Sequence, residues 1–287
     1  MKMKTDASGF TLTELLVVLA VTATLIAVLL PSWAMSKDRG KSARCLSDLR
    51  QLTTAWLAYT SDNRGKLVPN GDESDQPASL TDTNALPGGA KAQWCPGRQD
   101  VAANLSPANA AVNVGYEWIE LGLIYPYVGN VAAYLCPEDT SSISAFGIKD
   151  PHVRSRSMNA WLGPISPYDD NANVESYYKD SDLVRPGPSQ LFVFIDESPF
   201  SINDGSFICE PDVEDWIDAP ATYHNGGSGL SFADGHAEIK RWTDLTVLVK
   251  WAPPTILPGN PGFNRLPPTQ NPPIDLSFLQ NASTYVR

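Results

Sequence analysis

An apolar run of 20 residues near the amino terminus, Thr11 to Leu30, constrains this chain more than any other feature. As a helix it would be about 30 Å long, which is enough to cross the hydrocarbon core of a bilayer. The run holds one carboxylate, Glu14. An acidic side chain costs roughly 2.5–3.5 kcal/mol or more near the bilayer centre, so such residues are rare and usually functional. The segment therefore predicts a helix that lies in a membrane or among other apolar helices, with Glu14 paired to a cation.

The residues before and within this run carry a specific pattern. Residues 9–19 read GFTLTELLVVL, with the polar residues ahead of the apolar run. This resembles the leader junction of type IV pilins and type II secretion pseudopilins. The resemblance implies that a prepilin peptidase removes residues 1–9, cleaving between Gly9 and Phe10, and methylates the new amino terminus. It also makes Glu14 the fifth mature residue, and it places Pro31 where many family members carry proline.

Two other interpretations of this segment stay open. A secretory signal could be cleaved near the small residues Ser32 and Ala34, although the apolar run exceeds the usual 7–15 residues of that class. A plain membrane anchor would need no cleavage. Under the prepilin interpretation, the amine freed at Phe10 of a neighbouring subunit is the cation that Glu14 would bind.

A second helical pattern continues beyond the apolar run. Leu49, Leu52, Trp56 and Tyr59 recur at helical spacing, and Cys45 falls on the same stripe. This predicts one long helix over 10–62, whose outer half packs its apolar face on a globular body. Pro31 lies inside the pattern and removes a backbone donor, so we expect a kink there.

The remaining sequence predicts an α+β head over 63–251 and a Pro-rich extended tail over 252–287. Loop residues dominate residues 69–111, and a run of apolar residues predicts a buried strand over residues 191–196. The predicted fold is a long N-terminal helix packed on an antiparallel sheet, as in pilins.

A hairpin is the strongest local signal in the head. Asp234-Gly235 stands between two alternating runs, which is typical of a two-residue type I′ turn. In that register Phe232 pairs with Ala237, and Leu230 pairs with Ile239. All four would then share one buried face.

Charge and cysteine content limit the functional classes. The net charge is −11, and residues 67–287 hold 12 basic and 27 acidic residues, so a nucleic-acid surface is excluded. The cysteines contain no Cys-x-x-Cys pair, which argues against a zinc ribbon. Outside the cytoplasm one or two disulfides are expected, with pairing undetermined, and buried free thiols are the alternative. The disulfide candidates are Cys45, Cys95, Cys136 and Cys209.

His224 precedes Asp234-Gly235 by nine residues. This spacing resembles the H-X9-DG signature of large prepilin-type proteins, whose biochemical role is poorly defined. A structural role suffices, with His224 bonding the hairpin or its approach loop. A metal site formed by His224, Asp234 and His236 is the sharper alternative. We expect no catalytic role, because no nucleophile stands at a recognised elbow.

Calcium is the cofactor that the acidic loops could bind. Asp169, Asn171 and Asn173 stand at alternate positions, as in a calcium loop, but Val174 occupies the place of the required glycine. A solvated acidic loop is the better interpretation. Asp204, in an Asn-Asp-Gly turn, is a weaker candidate.

Together these features predict a structural subunit and not an enzyme. Its partners would be other pilin or pseudopilin subunits and the prepilin peptidase, and it would cross the inner membrane once with its head outside the cytoplasm. One alternative is an anchored glycan-binding module, since eight Trp and ten Tyr could stack on sugars. The other is an anchored metallohydrolase.

Overall fold

A computed structural model describes residues 11–77, 79–99, 115–145, 148–166, 174–250 and 266–286 of the chain. The chain divides into two compact units, Met1–Lys41 and Ser42–Arg287. The leader and the processing residues Gly9 and Phe10 lie outside the described residues, as do Asp169, Asn171 and Asn173.

The first helix, α1, comprises Leu12–Asp62 and so has 51 residues. It begins at a reciprocal cap: the Thr11 backbone N–H donates to Glu14 Oε2 at 2.9 Å, and the Glu14 N–H donates to Thr11 Oγ1 at 3.3 Å. It ends where Arg64 and Gly65 adopt positive φ angles of 59° and 79°, which turns the chain away from the helix axis. The last residue of α1 is Asp62, where the sequence predicts that the helix ends.

Helical structure continues through Pro31, and the predicted kink there stays a prediction. The side chains of residues 11–26 are all exposed. Within the described parts of the chain, no helix combines the length and the apolar character needed to cross a membrane.

The described strands of the head are β1 Ser142–Ala145, β2 Ile148–Pro151, β3 Arg156–Asn159, β4 Phe192–Asp196, β5 Ser206–Phe207, β6 Gly227–Phe232 and β7 Ala237–Arg241. Five of them form a sheet in the order β5-β3-β4-β6-β7, and β1 and β2 form a separate antiparallel pair. Strand β3 pairs in parallel with β5, whereas the other neighbours in the five-stranded sheet are antiparallel, so the sheet is mixed and the prediction of an antiparallel sheet is wrong in this respect.

The described residues also include three short α-helices and several single helical turns. The helices are α2 Tyr116–Glu120, α3 Tyr125–Val128 and α4 Ile274–Ser283. The 3₁₀ turns are Glu73–Asp75, Thr83–Ala85, Val131–Tyr134 and Asp180–Asp182, and a π-helical turn comprises Thr246–Lys250.

The outer part of α1 packs on one face of the sheet. Leu49, Leu52 and Trp56 are fully buried, as their helical spacing predicts, and Tyr59 is half-buried. Thr53 Oγ1 donates to the hydroxyl of Ser231 in β6 at 2.7 Å. This buried bond fixes the helix against the central strands.

A second core covers the other face, where Phe192 and Leu230 pack with Leu276 and Leu279 of α4. The prediction of an extended tail is therefore wrong for Ile274–Ser283, which form α4. The prolines of the tail end at Pro273, which directly precedes α4, so the residues that follow are free to form a helix.

The hairpin between β6 and β7 differs from its prediction by one residue. Ser231 pairs with Ala237, and Leu230 pairs with Glu238. A type I′ turn needs positive φ at both central residues, but of the two only Gly235 has it, at 93°. The loop therefore has three residues and ends in a bulge at Gly235.

In the observed register the hairpin contributes apolar residues to both faces of the sheet, and both faces are buried. Leu230 and Phe232 belong to the second core, whereas Ala237 belongs to the core beneath α1. The alternation of apolar residues therefore does not separate core from solvent here, and the predicted single apolar face is wrong.

The segment after Pro69, predicted as a surface loop, is buried in part. Trp94 and Cys95 are inaccessible to solvent, and the Trp94 indole N–H donates to the carbonyl oxygen of Gly205 at 2.9 Å. This contact brings a chain without regular secondary structure into the core.

Candidate functional site

The amino-terminal part of α1 presents a broad apolar surface. Large aliphatic side chains along residues 12–26 are 50% exposed or more. Glu14 is the only charged side chain in this stretch of sequence. Its Oε2 accepts bonds from both the backbone N–H and the hydroxyl of Thr11, at 2.9 and 2.7 Å. The carboxylate is thereby held at the first turn of α1 by Thr11, which directly follows Phe10, the residue that would carry a new amine.

A second site lies in the head, where four chemically active side chains meet. Cys45, Cys136, Asp196 and His224 each offer one metal-ligating atom, and these atoms all lie within 4.8 Å of one another. All four residues are buried, and His224 is the most exposed at 4%.

Four separate parts of the chain supply these residues. Cys45 lies on the buried face of α1, and Cys136 follows the 3₁₀ turn Val131–Tyr134. Asp196 is the last residue of β4, and His224 lies in the turn that leads into β6. The site exists only when the helix is packed on the sheet.

The contacts within the group are close. The Cys45 thiol donates to Asp196 Oδ2 at 2.9 Å. The Cys136 Sγ and the His224 Nε2 are 3.4 Å apart, and His224 Nε2 and Asp196 Oδ2 are 3.8 Å apart.

Neighbouring groups fix the orientation of two of these side chains. His224 Nδ1 lies 3.1 Å from the Ser42 hydroxyl and 3.3 Å from Glu138 Oε1, so Nε2 faces the other three residues. Asp196 Oδ1 accepts from Arg156 Nε at 3.1 Å, so Oδ2 is the oxygen that faces the group. The Gly229 backbone N–H donates to that Oδ2 at 3.1 Å.

Electrostatic effects in the group are strong. Burial raises the pKa of Asp196, but the Arg156 guanidinium and the bonds from His224 and Cys45 outweigh it and hold that pKa below its usual range. For His224, burial lowers the pKa, and the bonds to Asp196 and Cys45 raise it to about 10. The hydrogen bond to Cys136, burial and the Asp196 charge all raise the pKa of the Cys45 thiol.

The structure separates the residues of the predicted hairpin metal site. His224 belongs to the buried group, whereas Asp234 and His236 bond to each other at the exposed hairpin loop, with Nδ1 and Oδ1 2.6 Å apart. His236 also stacks on Phe232, with ring centroids 4.3 Å apart. Among the described residues, the group around His224 is the one set that could hold a metal, and it contains neither of them.

The other predicted candidates have different surroundings. Asp204 is buried, accepts from the Ser206 N–H at 2.7 Å, and is not part of the group. Burial raises its pKa to about 7. All four cysteines are free buried thiols in the structure, and Cys95 and Cys209 lie outside the group.

Sequence reasoning singled out His224 but not its partners. The sequence places Cys45 on the buried face of α1 and Asp196 at the end of a buried strand, and it links Cys45 and Cys136 only as disulfide candidates. Long separations along the chain hide such a set, because no local spacing connects residues 45, 136, 196 and 224. The available signal was that Cys45 and Asp196 both fall at positions predicted to be buried.

Comparison with known proteins decides the nature of the amino terminus. The chain carries a prokaryotic N-terminal methylation motif at residues 4–30. This motif is the prepilin-type cleavage and methylation signal of type IV pilins and pseudopilins, so the predicted recognition is confirmed. No curated protein and no solved structure matches the chain.

Proposed function

We propose that this protein is a structural subunit of a type IV pilus or a type II secretion pseudopilus. A prepilin peptidase would remove residues 1–9 and methylate the amine of Phe10, and the mature chain would assemble with other pilin-type subunits through α1. The observation that carries the proposal is the methylation motif at residues 4–30, followed by a helix whose apolar side chains are exposed.

The exposed surface supports assembly on energetic grounds. Burial of a Leu or Val side chain contributes roughly 1.5–3 kcal/mol, so packing of several copies of this helix would release a large free energy. A contiguous apolar surface of this kind indicates an interaction with protein or with lipid. Before assembly we propose that the apolar run resides in the inner membrane, as a single pass with the head outside the cytoplasm.

Glu14 would set the register of assembly. Thr11 holds its carboxylate at the amino-terminal turn of α1. In a medium of low dielectric constant, a carboxylate without a cation is strongly disfavoured. The amine at Phe10 of an adjacent copy would supply that cation, and only one axial offset between subunits brings the two groups together.

The head would have a role in assembly and display and not in catalysis. Its metal-ligating group is closed to solvent, with Cys45, Cys136 and Asp196 fully buried. Catalytic metal sites keep a position open to water or substrate, so this burial argues against the alternative of an anchored metallohydrolase.

The experiment compares Glu14→Ala with a control in the same helix. Thr24→Ala removes a hydroxyl that, within the described part of the chain, donates to the carbonyl oxygens of Ala20 and Val21, one turn back in α1. Each variant is expressed beside its native assembly machinery, its processing is followed by the size shift on a gel, and the sheared filament fraction is compared with the membrane fraction.

Both variants should be processed. Glu14→Ala should be at least about tenfold depleted from filaments, since an intramembrane ion pair worth more than 1.4 kcal/mol is lost. Thr24→Ala should assemble like the wild type. Normal assembly of Glu14→Ala would show that this carboxylate does not set the register.

A further inference from the structure

We propose that Cys45, Cys136, Asp196 and His224 form a structural zinc site that joins the outer part of α1 to the sheet. The site lies wholly within residues 42–287 and does not depend on how the amino terminus is processed. It is also different from the sites expected from the sequence, namely the hairpin group and the acidic loops.

The spacing of the ligand atoms fits a tetrahedral cage. With Zn–S bonds of about 2.3 Å and Zn–N or Zn–O bonds of about 2.0–2.1 Å, tetrahedral geometry places neighbouring ligand atoms about 3.3–3.8 Å apart. The Cys136–His224 and His224–Asp196 separations are 3.4 and 3.8 Å. The Cys45–Asp196 separation is shorter, at 2.9 Å, and a small movement of either side chain would bring it into this range.

The orientation of the ligands also fits. Zinc-bound histidines usually have their other ring nitrogen bonded to a carboxylate, a carbonyl or a water. His224 Nδ1 has the Glu138 carboxylate and the Ser42 hydroxyl beside it, which leaves Nε2 as the ring nitrogen that faces the group and that would bind a metal after losing its proton. Arg156 holds Asp196 Oδ1 and thereby directs Oδ2 inward.

The charge of the ligands favours a divalent cation. A metal-bound form has two thiolates and the Asp196 carboxylate, for a charge of −3. The buried Arg156 guanidinium, which is also 3.5 Å from Cys45 Sγ, contributes +1. A divalent ion would bring these ligands and Arg156 to neutrality, which lowers the cost of burying them. The Glu138 carboxylate, 3.3 Å from His224 Nδ1, adds one further negative charge beside the group.

The ligand types select the ion. Two thiolates, an imidazole and a carboxylate in four-coordinate geometry are typical of zinc. Calcium prefers six to eight oxygen ligands, so it does not fit this group. Because all four protein ligands are buried, the expected role is structural, and binding energy becomes folding energy.

The main competing state is a disulfide between Cys45 and Cys136, whose sulfur atoms are within 4.8 Å of each other.

The first test measures the zinc content of the protein. Full-length protein is purified in detergent without chelator, and its zinc content is measured by mass spectrometry. Wild type should hold one zinc ion per chain, and Cys136→Ser and His224→Gln should hold almost none. Cys209→Ser is the matched control, because that buried thiol lies outside the group and bonds to the Ser283 hydroxyl.

A second measurement needs no variant and so does not depend on whether variants fold. Wild-type protein is stripped with a chelator and titrated with Co²⁺. The expected result is a thiolate-to-cobalt absorption band with intense tetrahedral bands in the visible region, saturating at one equivalent, together with a lower unfolding temperature in the stripped form. Absence of zinc and of these bands, or recovery of a Cys45–Cys136 disulfide peptide from unreduced wild type, would overturn the proposal.

Discussion

Gly229, within β6, lies close to side chains of α1. A β-carbon at this position would lie 2.5 Å from Leu49 Cδ1, 2.8 Å from Asp196 Oδ2 and 3.0 Å from Cys45 Sγ. Gly229→Ala therefore tests whether α1 packs directly on this strand. One methyl group should be enough to disturb the interface.

The size of the effect follows from these three contacts. Leu49 is fully buried and so cannot swing aside, and Asp196 is held by Arg156. Introducing a methyl group into a packed core costs typically about 1–3 kcal/mol. In a unit of this size, each kcal/mol lowers the unfolding temperature by about 2–4 °C. The expected decrease for Gly229→Ala is therefore about 2–12 °C.

The assay is thermal unfolding of full-length protein in detergent, followed by near-ultraviolet circular dichroism. Gly187→Ala is the matched control, since a β-carbon there meets no atom within 4 Å and the residue lacks a positive φ. Gly187→Ala should unfold at or slightly above the wild-type temperature. Equal unfolding temperatures for the two variants would refute the close packing of α1 on β6.

Two further predictions concern buried carboxylates. Burial raises the pKa of Asp204 to about 7, against the lowering effect of the Ser206 N–H, so its protonated form is favoured in the folded state. Stability should therefore fall as the pH rises from about 4 to about 7, by up to about 4 kcal/mol. Asp204→Asn should remove the contribution of this residue to the pH dependence and unfold at a higher temperature than wild type at pH 8, and parallel pH profiles would contradict the assignment. Asp275 in α4 accepts from the backbone N–H groups of Thr243 and Asp244 at 2.6 and 2.8 Å, so Asp275→Ala should cost about 2–3 kcal/mol in urea unfolding, whereas a cost below 0.5 kcal/mol would show that α4 is not docked there.

Local signals explain what the sequence predicts well. The carboxyl end of α1 at Asp62 follows from helical periodicity and the Asn-Arg-Gly sequence after it. The strand Phe192–Asp196 follows from a continuous apolar run. The methylation motif spans only residues 4–30, so it can be recognised without knowledge of the fold.

The remaining features depend on contacts between distant residues. The hairpin register depends on the burial of both sheet faces. Gly229 and Ser231 face α1, where a β-carbon on Gly229 would clash with Leu49 and the Ser231 hydroxyl bonds to Thr53. Similarly, Cys45 and Cys136 are separated by 91 residues and meet only through tertiary packing. An even number of cysteines pointed to disulfides, whereas the three-dimensional arrangement places two of them beside a histidine and a carboxylate.

Accurate mass analysis of the protein recovered from its native cell tests the central claim most directly. The mature chain should begin at Phe10, with one methyl group on its α-amine, and residues 1–9 should be absent. A chain that retains those residues, or that begins after Ser32 or Ala34, would contradict processing as a prepilin and, with it, assembly through the amine at Phe10.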